Sequence, residues 1–177
     1  LIREARKKGL QVSCSVAIHN LLFTDDLLEE FDTQAKVLPP LRTKKDLKAL
    51  IKGVKEGTID MVTSDHTPID IEHKKVEFEK ALYGTIGLES AFGALLQIFS
   101  LEETIEILTR GRNIFDIPEY EIKEGNPADL SMFSPKGDFI FKESNIYSTS
   151  KNSLFVNTPL SGKVYGIVRG NKVVISE

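Results

Sequence analysis

A chain of 177 residues, 41% hydrophobic and 28% charged, carries enough apolar material for one folded domain and a small annex. Its formal charge of −3 is spread with acids and bases interspersed, which leaves no basic face for nucleic acid. No apolar run approaches the roughly 20 residues that cross a bilayer, and no signal peptide opens the chain, so the expectation is a cytoplasmic protein without membrane contact.

The first residue is Leu1 rather than methionine, and "LIREARKKG" already carries a helical stripe of Leu1, Ile2 and Ala5. The chain therefore reads as the later part of a longer protein. That helix stops at Gly9, suited to a left-handed C-terminal position, and "LQVSCSVA", residues 10–17, follows as a strand. Cys14 is a small core residue in this reading, and a single cysteine excludes an internal disulfide or a zinc site built from cysteines. Thr24 can cap a short helix with Leu27, Leu28 and Phe31 on one face. In "TKKDLKALIKGVKEGT", Thr43 and Asp46 resemble a capping box, and Leu47, Leu50, Ile51 and Val54 repeat along one helical face. This helix leads directly into an apolar strand at 59–64. Lys74 and Lys75 read as solvated loop charge. Leu88, Phe92, Leu95, Leu96 and Phe99 mark another buried helix, and Ser100 with Glu103 opens the next, carrying Ile105 and Leu108.

Past Pro118 the pattern turns to short β-rich runs at 128–135, 137–141 and 162–176, with Gly170-Asn171 as a two-residue hairpin turn. The organisation expected is an α/β body over 1–117 and a small β-rich unit over 118–177.

The stretch with the most chemistry is "MVTSDHTPID", residues 61–70. An apolar run delivers Asp65 to the end of a buried strand, where Pro68 prevents an ordinary helix start. A carboxylate there can bind a metal, shuttle a proton or cap the following turn. His66 follows directly, and neighbouring strand residues point to opposite faces, so a structural role suits it as well as a functional one. His19 closes the other clear strand, where a histidine bonded near a turn is the plainer reading, and His73 sits in a charged loop. None of the three histidines forms His-x-His or His-x-x-His, and no phosphate loop, nucleophile elbow or GxGxxG motif occurs.

Several segments resemble, in order and spacing, the C-terminal half of the dihydroorotases of the amidohydrolase superfamily. They are "IREARKKGLQVSCSVAIHNLLFTDD", "VLPPLRTKKDLKALIKGVKEGTIDMVTSDHTPID", "YGTIGLESAFGALL", "NPADLSMFSP" and "SKNSLF" with the closing "LSGKVYGIVRGNKVV". The resemblance implies an α/β fold that is the C-terminal part of a (β/α)8 TIM-barrel amidohydrolase, with 118–177 completing a composite β domain. It implies a zinc-dependent hydrolysis of a cyclic amide, the interconversion of dihydroorotate and N-carbamoyl-aspartate in pyrimidine biosynthesis. Asp65 matches the aspartate that ends the eighth strand, which in that family contacts the metal, takes a proton from the attacking water and passes it to the leaving nitrogen. The remaining zinc ligands would lie upstream of Leu1, so the isolated chain is expected to be inactive.

The resemblance also implies that the backbone at Gly87, in the "GLES" turn, helps to hold the ring. The family's polar substrate anchors are replaced here by Leu38 and Ile69, and Arg42 is the candidate to compensate. His19 matches the first histidine of a segment that is not a principal metal ligand. The implied partners are a small cyclic amide and a second copy of the chain or an aspartate transcarbamoylase assembly. Leu38 and Ile69 keep two alternatives open: a non-catalytic homologue acting as a structural partner, and a related hydrolase of a less anionic cyclic amide.

Overall fold

The computed structural model describes residues 1–176. Helix α1 (Ile2–Lys7) ends ahead of Gly9, whose φ of 78° reverses the chain. The expected strand over 10–17 contracts to β1 (Ser15–Ala17), because only these residues find a sheet partner. Residues 10–14 are tied down by side chains instead: Arg6 Nε donates to the Val12 carbonyl at 3.3 Å, and the Cys14 amide donates to Asp60 at 2.7 Å. A turn of helix unannounced by periodicity, α2 (His19–Leu22), follows β1 at once.

The helix expected after Thr24 is only a 3-10 turn, Asp25–Leu28, and Phe31 lies exposed with its ring edge-on to Phe78. The Thr24 hydroxyl is taken by the Asp26 side chain at 2.9 Å and caps no backbone amide. A second 3-10 turn spans Thr33–Ala35, and the Leu38-Pro39 peptide beyond it is cis.

Helix α3 (Lys44–Lys55) forms where expected, with the Thr43 hydroxyl accepting from the Asp46 amide at 3.3 Å. Its carboxylate does not complete the reciprocal box; it accepts from the Thr43 hydroxyl itself at 2.7 Å. The helix returns the chain to β2 (Met61–Thr63), which pairs parallel to β1 in the register Ser15 to Met61, Val16 to Val62 and Ala17 to Thr63. A strand, a crossover helix and a parallel strand make a βαβ unit, so the C-terminal ends of both strands come out side by side.

Four short helices complete the body: α4 (Ile71–Lys74), α5 (Ala91–Leu96), α6 (Leu101–Thr109) and α7 (Gly111–Ile114). Lys75 is exposed as expected, but Lys74 is fully buried, its ammonium donating to the carbonyls of Thr33 and Lys36. The buried side of α6 is Thr104 and Ile107, whereas Ile105 and Leu108 face solvent. Leu88 is exposed too, lying in the turn ahead of α5.

The last elements are β3 (Asp129–Ile140), β4 (Pro159–Arg169) and β5 (Lys172–Ile175), an antiparallel sheet in that order. β3 merges the two runs read separately at 128–135 and 137–141, with register shifts after Met132 and after Ser134. Gly170-Asn171 joins β4 to β5 as expected, Gly170 taking φ 55°. One core cluster gathers Val16 and Ile18 at β1, Val54 from α3, Leu95 and Phe99 around α5, and Phe141, Phe155 and Leu160 from beside the antiparallel sheet.

Candidate active site

Asp65 stands two residues past β2 and adopts φ 47°, the left-handed region that a short polar side chain tolerates better than most. Such a conformation in a residue other than glycine costs roughly 1 kcal/mol or more and turns the side chain away from the line of the strand. Its carboxylate, about one third exposed, lines a hollow of ≈ 520 Å³. The other walls come from β1 (Ser15, Val16, Ala17), from Asn20, from Pro39 and Pro40, and from Arg42, Leu50 and Thr63. The parallel pairing of β1 and β2 explains this convergence, since it places residues just beyond both strands at one end of the sheet.

His19 lies beside Asp65, with Nε2 4.0 Å from Oδ2. The imidazole is fully buried, and among the described residues neither ring nitrogen has a hydrogen-bond partner. Burial lowers its pKa, an effect that the Asp65 charge opposes in part, so the ring is neutral at neutral pH. Asn20, the next residue, donates from its side chain to the Pro40 carbonyl at 3.1 Å and so ties the wall that carries Arg42.

The structure thus brings Asp65 and Arg42 to one hollow, and it leaves Gly87 outside the lining. Arg42 is mostly exposed, and its Nε lies 3.8 Å from Asp46, so part of its charge is already engaged. The amides of Gly87 and Leu88 point at His66 Nδ1, at 3.4 and 3.3 Å. His66 therefore accepts at Nδ1 and, when neutral, carries its proton on Nε2. A Cβ at Gly87 would stand 2.5 Å from the Ser64 carbonyl oxygen, so this turn approaches the end of β2 as only glycine permits. Leu38 is exposed to solvent beside Pro39, Ile69 is buried against Gly84, and neither lines the hollow. His73 is exposed.

Two residues that the sequence did not single out hold this end of the molecule together. Asn152 is buried, accepts from the Ile69 amide at 3.0 Å and donates to the Thr67 carbonyl at 2.9 Å, which clamps the loop after Asp65. Glu89 accepts from the Ser148 amide at 2.9 Å and so anchors the turn that His66 contacts. Both partners lie more than fifty residues away in sequence, so no local pattern could have revealed them.

A carboxylate oxygen open to a hollow fits the role of a hard metal ligand. Among the described residues no three His, Cys, Asp or Glu side chains converge on a common metal position, so Asp65 alone does not make a metal site.

Over 182 residues the chain is 35% identical to a dihydroorotase of Trichlorobacter lovleyi, a match covering 99% of this chain and 43% of that protein. Over 181 residues it is 37% identical to a dihydroorotase of Caldicellulosiruptor saccharolyticus, covering 98% and 42%. Among solved structures, the L-hydantoinase (dihydropyrimidinase) of Arthrobacter aurescens superposes with a TM-score of 0.88 at 27% identity, covering 99% of this chain and 42% of that one. The inactive dihydroorotase-like domain of the Chaetomium thermophilum CAD-like multifunctional protein superposes with a TM-score of 0.67 at 18% identity, over 97% of this chain and 46% of that domain, a likeness of fold alone. No family model matches the chain. These likenesses show that the chain shares the fold of the corresponding part of the hydantoinases. In sequence the chain is a homologue of the dihydroorotases, and it spans about two fifths of the length of the curated relatives it matches.

Proposed function

We propose that this chain is the C-terminal part of a metal-dependent cyclic amidohydrolase of the dihydroorotase type, acting in the cytoplasm on dihydroorotate and N-carbamoyl-aspartate. Residues 1–117 would then be the last βα units of a (β/α)8 barrel, with 118–177 completing a composite β domain. The observation that carries the reading is Asp65, held in a left-handed turn beyond β2 with its carboxylate on the hollow. Zinc is the metal proposed, with Asp65 as this chain's ligand and the other ligands supplied from outside it. A bound metal ion supplies the Lewis acidity that polarises an amide carbonyl. Water adds its oxygen to that carbonyl carbon, the ring C–N bond breaks, and Asp65 carries one proton from the water to the departing nitrogen. Arg42, on the same hollow, would draw an anionic substrate group, and the Gly87 backbone, whose amide points at His66 Nδ1, would hold the ring only on giving up that contact. By itself the chain is inactive in this reading, and it works within a homodimer or an aspartate transcarbamoylase assembly.

The test is Asp65→Asn in a protein that supplies the remaining ligands. The amide keeps the shape and cannot take the proton, so turnover should fall by at least ~10²-fold with the fold intact. Unchanged turnover removes Asp65 from the chemistry.

A second reading has an observation of its own. Leu38 and Ile69 bring no polar group to an anionic substrate, and Arg42 is partly engaged by Asp46. That favours a structural homologue without activity, or a hydrolase of a less anionic cyclic amide. Turnover of dihydroorotate at an ordinary enzymatic rate would exclude both.

A further inference from the structure

We infer that His19 is the positioning residue of Asp65: its Nε2–H donates to Oδ2 and fixes the carboxylate so that the other oxygen faces the hollow.

Three observations converge on this pair. The imidazole is fully buried with both nitrogens unpartnered among the described residues, an arrangement that native interiors rarely leave standing. The Asp65 carboxylate lies within 4.0 Å of Nε2, so a rotation of that carboxylate by about 1 Å brings it to hydrogen-bonding distance. The backbone that carries His19 is tied to the strand before Asp65: the Ile18 amide donates to the Thr63 carbonyl at 2.9 Å, joining the end of β1 to the end of β2. Asp65 for its part is held in a left-handed turn, with the Thr67 hydroxyl donating to its carbonyl at 3.2 Å. Two anchored segments thus bring Nε2 and Oδ2 to within 4.0 Å of each other.

A carboxylate on a single χ1 and χ2 can rock between a metal, a substrate and solvent, and a donor on one oxygen removes that freedom. His19 touches neither substrate nor metal in this arrangement; it acts only through Asp65.

The proposal rests on Asp65 as the reacting carboxylate, but the measurement reads the pairing alone. Long-range ¹H–¹⁵N spectra of the chain labelled at histidine report which ring nitrogen carries the proton. The expected result is an Nε2–H tautomer for His19 with a slowly exchanging ring proton, retained in Asp65→Asn and lost in Asp65→Leu. An Nδ1–H tautomer, or a ring proton indifferent to Asp65→Leu, overturns the pairing. Should Asp65→Leu not fold, the ¹³C resonance of the Asp65 carboxyl serves in its place. His19→Phe should shift it and His19→Gln, which restores a donor at the same reach, should return it; equal shifts in both variants overturn the proposal. If Asp65→Asn keeps its turnover in the longer protein while the ring proton stays bound, the assignment of function fails and the pairing stands.

Discussion

Lys74 holds its ammonium group away from water, bonded to the Thr33 carbonyl at 2.8 Å and to the Lys36 carbonyl at 3.3 Å. Lys36 answers from the other side, donating to the carbonyls of Phe78 and Glu79 at 2.7 and 2.8 Å with its charge over the rings of Phe78 and Tyr83. The two lysines tie the loop at 33–36 to the segment at 74–79 from both ends. Burial lowers the Lys74 pKa to about 8, Asp32 working against the shift and Lys36 with it. Folded Lys74 therefore releases its proton near pH 8, whereas the unfolded chain keeps it up to about pH 10.4. Between those values the unfolded state binds more protons, so stability rises with pH across that window, and the burial penalty is present in full below it. Wild type should accordingly gain Tm relative to Lys74→Met on going from about pH 8 to about pH 10, in melts followed by circular dichroism. A difference that stays flat over that range would mean the amine titrates normally. At this scale the sequence was legible where the signal was local. Asp65 announced itself as a polar residue after an apolar run and before a proline, and it lines the hollow. Lys74 did not, because its burial depends on which carbonyls two distant loops bring around it, and "HKK" read alone looks like solvated charge.

Elements show the same division. Helix α6 carries a complete box: Ser100 Oγ accepts from the Glu103 amide at 3.2 Å, and the Glu103 carboxylate accepts from the Ser100 amide at 2.8 Å. At α3 the Asp46 side chain is one methylene shorter than a glutamate and meets the Thr43 hydroxyl rather than the Thr43 backbone amide. Two otherwise unpartnered amides are satisfied at α6 and one at α3, so the paired substitution Ser100→Ala with Glu103→Ala should cost about 1 kcal/mol or more and Thr43→Ala rather less. Urea denaturation of the two variants gives the comparison, and a larger loss at Thr43 would contradict it. Both starts were readable because a cap is a contact between residues three apart. The strand over 10–17 was overread for the opposite reason: β-favouring residues do not make a strand without a partner, and β2 offers only three positions. The α6 face was misplaced by one residue, since Ile105 and Leu108 satisfy the same period as Thr104 and Ile107, and only packing decides between the two faces.

For the molecule as a whole, the boundary between an α/β body and a β-rich unit, legible as a change of composition past Pro118, is not a boundary in the core. Phe155 is fully buried, stacks edge-on with Phe23 at 5.2 Å between ring centroids, and shares one cluster with Val16, Ile18 and Leu95. Phe141, just past β3, and Leu160, the second residue of β4, flank the segment that links the two strands and join the cluster. That segment also supplies Asn152, whose side chain clamps the loop beyond Asp65. The loop beyond Asp65 is therefore held by a residue more than eighty positions further along the chain. Phe155→Ala should cost about 3–5 kcal/mol through lost burial and the cavity left behind. Because the cluster spans both regions, the loss should lower a single transition and not melt the antiparallel sheet alone. Far-ultraviolet circular dichroism and a histidine resonance of His19 are two probes of that transition, one averaging over the chain and the other sitting beside Asp65. Coincident midpoints in the wild type, moved down together in Phe155→Ala, are the expected outcome. Two separate midpoints, with the His19 probe unmoved by the substitution, would show that the region past Pro118 folds on its own and that the Asp65 end does not depend on it.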